Sequence, residues 1–67
     1  MKKVTITYPT RTITFIAKDV FYKTEFGWLL EIGYLPEGKS RKKWFPIGGR
    51  RDENNDYSNT ELKIEEV

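Results

Sequence analysis

Cysteine and histidine are both absent from this 67-residue chain. Without them no disulfide can form, and no metal can be held by thiolate or imidazole. Ser–His and Cys–His nucleophilic pairs cannot be built, nor can a catalytic zinc site with histidine ligands. No apolar run approaches the ~20 residues of a membrane-spanning helix, and the Lys2-Lys3 start lacks the apolar stretch of a secretion signal. A cytoplasmic protein without membrane contact is therefore expected. Helical periodicity is missing as well. The best helical candidate is one turn around Ala17 to Tyr22, and the β-rich composition argues against it.

What is present is aromatic and β-branched. Sixty-seven residues allow one domain, spanning 1–67, and a chain this short buries only about 60% of the surface its unfolded form exposes. With no covalent staple, the core has to come from two Trp, four Tyr, four Phe and the aliphatics. Each buried aromatic removes roughly 150–250 Å² from water, so a few suffice.

The period is two throughout. Val4, Ile6 and Tyr8 alternate with Lys3, Thr5 and Thr7; Ile13, Phe15 and Ala17 alternate with Thr12, Thr14 and Ile16. Val20 to Thr24 is a third strand, and Glu25-Phe26-Gly27 reads as a turn. Trp28, Leu30, Ile32 and Tyr34 follow at alternate positions, with Glu31 and Gly33 marking the solvent face. Pro36-Glu37-Gly38 is a second turn. Lys42 to Ile47 makes another strand, with Phe45 and Ile47 on one face and Lys42, Trp44 and Pro46 on the other; Pro46 cannot donate to a ladder and suggests an edge. A last strand carries Leu62 and Ile64. This spacing predicts an all-β domain: a small antiparallel meander of five or six strands closing into an SH3-like or OB-like barrel or a compact sandwich. The expected core is Val4, Ile6, Tyr8, Ile13, Phe15, Val20, Trp28, Leu30, Ile32, Phe45, Leu62 and Ile64. The polar stretch at about 48–59 is the expected long loop.

Charge is distributed unevenly. Six of the twelve Lys and Arg residues fall between positions 39 and 51, with no acid among them. The next sixteen residues reverse the sign, setting Asp52, Glu53, Asp56, Glu61, Glu65 and Glu66 against Lys63 alone. Such a local field matters more to a partner than the net charge of +2. Strand cations flanking an outward aromatic suit single-stranded nucleic acid, because cations follow phosphates while a ring stacks on a base. The candidate nucleic-acid-binding residues are Lys39, Arg41, Lys42, Lys43, Trp44, Arg50 and Arg51. Two bland explanations compete. Lysine on an edge strand guards against sheet-to-sheet aggregation, and the acidic C-terminal strand could neutralise the segment.

Three motif matches fail on context. Gly33 to Ser40 satisfies the phosphate-loop pattern G-x-x-x-x-G-K-[ST], but Gly33 lies in a strand, Pro36 removes an amide, and no helix follows. Asp52, Asn54 and Asp56 mimic a calcium loop that then lacks its Gly at Tyr57 and its Glu at Lys63. Glu25, Glu31 and Asp19 could pair as in glycosidases, but a sugar cleft would consume so small a core. Gly48-Gly49 reads as a sharp exit from a strand rather than as an anion nest.

The expectation is thus a non-enzymatic binding module contacting nucleic acid, with no cofactor and no metal. The alternative is a protein-binding regulator or inhibitor, of the kind phages and other mobile elements encode. It would act through an exposed strand edge or through Ile16, Leu29 and Trp44. A dimer is compatible with either.

Overall fold

The computed structural model describes all residues, 1–67. Seven strands form: β1 (Lys2–Thr7), β2 (Thr12–Ala17), β3 (Phe21–Glu25), β4 (Leu29–Tyr34), β5 (Lys43–Asp52), β6 (Asn55–Asp56) and β7 (Glu61–Glu66). They make two antiparallel sheets, β2-β1-β7 and β3-β4-β5-β6, which pack without closing into a barrel. No helix forms, so the turn considered at Ala17 to Tyr22 is instead the short corner between β2 and β3.

In the three-stranded sheet the alternation works as read. Val4 stands opposite Phe15 on one side and Ile64 on the other; Ile6 stands opposite Ile13 and Leu62. These side chains share the inner face, and their threonine and lysine neighbours take the outer one. Leu62 and Ile64 nevertheless remain 38% exposed, because β7 is an edge strand with no neighbour beyond it. Val4, Ile6, Tyr8, Phe15 and Ala17 meet Ile32 of the other sheet in the buried core, flanked by Ile13, Val20, Tyr34, Phe45, Ile47 and Tyr57. At its centre three rings stack between the sheets. Phe15 lies 4.0 Å from Tyr34 and 5.7 Å from Phe45, centroid to centroid.

The four-stranded sheet departs from the expected burial. Ile32 and Tyr34 do point into the core, but Trp28 is 62% exposed and Leu30 is also open to solvent. Both follow the phase of Ile32 and fall at the hairpin end of β4, outside the cluster that Ile32 joins. Conversely Leu29, Glu31 and Gly33, on the opposite face, are buried. Opposite β4 the pairing skips Ile47: Leu30 faces Gly48 while Glu31 faces Pro46. This β-bulge leaves Ile47 free to pack on the core.

The polar stretch after position 47 is less irregular than expected. β5 continues through Gly48 and Gly49 to Asp52 and turns back into β6. Gly49 has φ of +71°, and a side chain there would strike the Trp28 carbonyl oxygen, so the close pairing of β5 with the start of β4 requires glycine. Segment 43–48 has no strand on its far side, in keeping with Pro46. Its Pro46 carbonyl is reached instead by the Tyr8 hydroxyl at 2.7 Å. Burial pushes the Tyr8 phenol up from its ordinary value.

Candidate nucleic-acid interface

The seven residues singled out by charge do not form one patch. Lys39, Arg41 and Lys42 lie on the exposed connection between β4 and β5, and Lys43 and Trp44 begin β5. Arg50 and Arg51 stand near its other end, seven residues on from Lys43, about 20 Å along an extended strand. The first group is the cationic end. The second shares a cleft with Trp28, Asp52 and Glu53.

Trp44 occupies the outer face, as alternation requires, but it is not free. Its ring lies flat over Gly33, where a β-carbon would stand 2.5 Å from Trp44 Cε3. Glycine at 33 therefore makes the seat for the indole. Lys23 covers the ring from the solvent side, with Nζ 4.5 Å from the ring centroid, and pairs with Glu25 Oε1 at 2.8 Å. That ammonium holds the Glu25 carboxyl below its ordinary range, first by the hydrogen bond and then by charge, with a smaller contribution from Arg51.

Cross-strand register arranges the outer face in rows. Phe21, Gly33 and Trp44 form one; Lys23, Glu31 and Pro46 form the next; Glu25, Leu29 and Gly49 form the third. In the first row two rings flank a residue with no side chain, and Lys42 Nζ sits 4.6 Å from the Phe21 centroid. Two aromatics, each under its own lysine, thus lie on one sheet face next to the exposed Lys39–Lys43 segment. Sequence reading missed Phe21 and Lys23 here. The clue was available: Phe21 and Lys23 alternate in β3, and their partners across β4 are the Gly33 and Glu31 that had been assigned to solvent.

No ion pair involves Lys39, Arg41, Lys42, Lys43, Arg50 or Arg51. Three of the acids that follow them in sequence, Glu66, Asp52 and Asp56, are engaged elsewhere. β7 pairs with β1 in the other sheet, and its Glu66 takes Lys2 at 2.7 Å. Asp52 accepts from the Asn54 amide at 2.8 Å and from Asn55 Nδ2 at 2.9 Å, and Asp56 accepts from the Ser58 amide at 2.9 Å. Those backbone amides are the main cause lowering both carboxyls from their ordinary values. The acids that mimic a calcium loop thus serve as turn acceptors in the β5–β6 hairpin and the bend after it.

The phosphate-loop match falls on structure of another kind. Gly33 is inside β4 beneath Trp44, the Lys39 amide closes a turn onto the Pro36 carbonyl at 3.0 Å, and the chain continues into β5.

The β3–β4 hairpin carries a feature that alternation hid. Phe26 and Gly27 both have positive φ, +57° and +77°, and the Trp28 amide bonds the Glu25 carbonyl at 3.3 Å. This is the geometry of a tight hairpin turn that normally uses Asn and Gly. A phenylalanine held in the left-handed region costs roughly 1–2 kcal/mol. Its side chain gains nothing from burial in return, since Phe26 is 60% exposed beside the exposed Trp28.

No protein-family model, no curated protein and no solved structure matches this chain.

Proposed function

We propose that the protein is a non-enzymatic module that binds single-stranded nucleic acid on the outer face of β3, β4 and β5 and on the adjoining Lys39–Lys43 segment. The observation that supports this reading most is the set of unanswered cations. Lys39, Arg41, Lys42 and Lys43 have no acidic partner, and the acidic strand that could have neutralised them belongs to the other sheet. Phosphates would follow these four cations. Bases would stack on Trp44 and Phe21, displacing Lys23 and Lys42, whose charges would remain available to the backbone. Arg50 and Arg51 would be reached only by a strand long enough to run along β5. The finer fold assignment, an SH3-like or OB-like barrel, goes with this reading, since such barrels present nucleic-acid surfaces. Amide pairing between β2 and β3, or between β7 and the β5–β6 hairpin, detected by NMR in solution, would establish it.

Salt titration tests the proposal. The log of affinity for an oligonucleotide should fall with log salt at a slope of about −0.7 per phosphate, near −3 for four contacts. Lys42→Ala should reduce that slope by about one contact. Trp44→Ala should weaken binding by roughly 1–3 kcal/mol with the slope kept, because stacking releases no counterions. Absence of binding at ~50 mM salt, where electrostatic attraction is strong, would rule the reading out.

A protein partner is the second reading, and a separate observation favours it. Exposed Trp28, at the hairpin tip, stands beside Arg50 and Arg51 in a cleft that Asp52 and Glu53 also line. Exposed Trp with Arg is the composition of a protein hot spot rather than of a phosphate track. Co-purification with and without nuclease, using wild type and Trp28→Ala, separates the two readings. A partner retained after nuclease and lost with Trp28→Ala supports the second.

A further inference from the structure

Glu31 is the one charged residue of this chain that is buried, at 6% exposure, and neither an ion pair nor a hydrogen bond reaches its carboxylate. The nearest cation by register is Lys23, directly across on β3, yet its ammonium is turned to Glu25 and to the Trp44 ring. On the other side Glu31 faces Pro46, which has no amide hydrogen to offer. It shares its face with Gly33, two positions along β4, and the indole is seated over that glycine. The carboxylate oxygens are not sealed off, since Thr60 Oγ1 is the one fully buried side-chain oxygen or nitrogen without a partner; water serves them, and a donor from outside can take its place.

We infer that Glu31 is the base-reading residue of the nucleic-acid surface, accepting a hydrogen bond from the exocyclic amine of a base stacked on Trp44. The inference rests on the binding mode proposed above. A base that stacks on the indole displaces the Lys23 ammonium seated over that ring, and Glu31 stands directly across from Lys23 in the register. A carboxylate has only acceptors to offer, so it favours bases with amino donors. Cytosine presents such a donor at N4. Thymine and uracil present a carbonyl oxygen at that position, and a carboxylate would repel it. The surface should therefore prefer cytosine to thymine, although its cations do not distinguish bases.

The test compares affinities for oligo-dC and oligo-dT of about twelve nucleotides, within the usual footprint of one small barrel, at neutral pH and fixed salt. Wild type should bind oligo-dC about tenfold more tightly. Glu31→Gln keeps the side-chain shape, removes the charge and offers one amino donor with one acceptor. It should weaken oligo-dC, strengthen oligo-dT and bring the two together, with an unchanged melting temperature showing that the fold is intact. Equal affinities in wild type, or a preference that survives Glu31→Gln, overturns the inference while leaving the binding surface standing. A Glu31→Gln protein that loses both oligonucleotides equally and melts earlier overturns it too, since Glu31 would then only support Lys23. Wild-type failure to bind either oligonucleotide removes the surface and the inference together.

Discussion

The two sheets handle their outward faces differently. In β2-β1-β7 the outer face is Lys3, Thr5, Thr7, Thr12, Thr14, Ile16, Glu61, Lys63 and Glu65, ordinary solvated side chains over a one-sided core. In β3-β4-β5 both faces are occupied. The inner one contributes Ile32, Tyr34, Phe45 and Ile47 to the core; on the outer one Leu29, Glu31 and Gly33 are buried, Gly33 beneath the Trp44 ring. A sheet needs only one buried face for stability. On the second face Lys23 and Lys42 lie over the rings of Trp44 and Phe21, an arrangement the first sheet lacks.

The comparison breaks most sharply at the core that both sheets share. Ile6→Ala on the first sheet and Ile32→Ala on the second should each cost about 2–5 kcal/mol, measured by urea unfolding, because both residues are fully buried in one cluster. If the sheets unfolded independently, the two variants would show separate transitions instead of one shifted midpoint.

The tryptophans sharpen it at the next level. Trp44→Ala should cost about 1–3 kcal/mol, since it unroofs Gly33 and leaves Lys23 without its ring. Trp28→Ala should stay within about 0.5 kcal/mol, as exposed positions do. Equal losses would mean that the outer face of the second sheet is no more packed than the hairpin tip.

Tyr8 bridges the sheets, and its effect should be smaller. Tyr8→Phe removes the bond to the Pro46 carbonyl and should cost about 0.5–1.5 kcal/mol at neutral pH. The phenol's folded pKa is raised above 10.0, chiefly by burial, so the unfolded chain gives up this proton first. Stability linked to this proton is intact below pH 10.0 and is lost as pH rises through the folded value. Wild type, unlike Tyr8→Phe, should show that extra alkaline loss in thermal melts.

Smallest of all is the exposed pair Lys2–Glu66 on the first sheet. The Lys2 hydrogen bond, then its charge, lowers the Glu66 carboxyl. The pair's stabilisation is present above the ordinary carboxylate range and fades as pH falls through the lowered value. Lys2→Ala should therefore melt slightly earlier than wild type at neutral pH and indistinguishably in strong acid or in high salt.

Legibility followed the same division. The facing of Val4, Ile6, Ile13, Phe15, Leu62 and Ile64 could be read because one side of their sheet is apolar and the other polar. In β4 the phase was also readable, and Ile32 and Tyr34 do face the core. Burial was not, because direction and burial are separate properties. Trp28 shares the phase of Ile32 but lies at the hairpin before β4 begins and is exposed, while Glu31 points away from the core and is buried nonetheless. The basic segment is half legible: the exposed cations from Lys39 to Lys43 are evident in the sequence, but their separation from Arg50 and Arg51 depends on β5 running unbroken to Asp52. Phe21 and Lys23 went unremarked because they join the surface only through cross-strand register.

The sequence by itself determined that the protein is all-β, where most of its strands lie, which face of the first sheet turns inward, and that neither thiol nor imidazole chemistry is open to it. Those properties depend on alternation and composition, which act over a few residues. Only the tertiary structure decided that Trp44 rests on Gly33 under Lys23, that Trp28 is exposed at a strained turn, and that Glu31 is largely covered without an ion pair. Each of these depends on which strands become neighbours and on the bulge opposite Leu30 and Glu31. Pairing between strands distant in sequence is set by the packing of the whole core, and no local pattern encodes it.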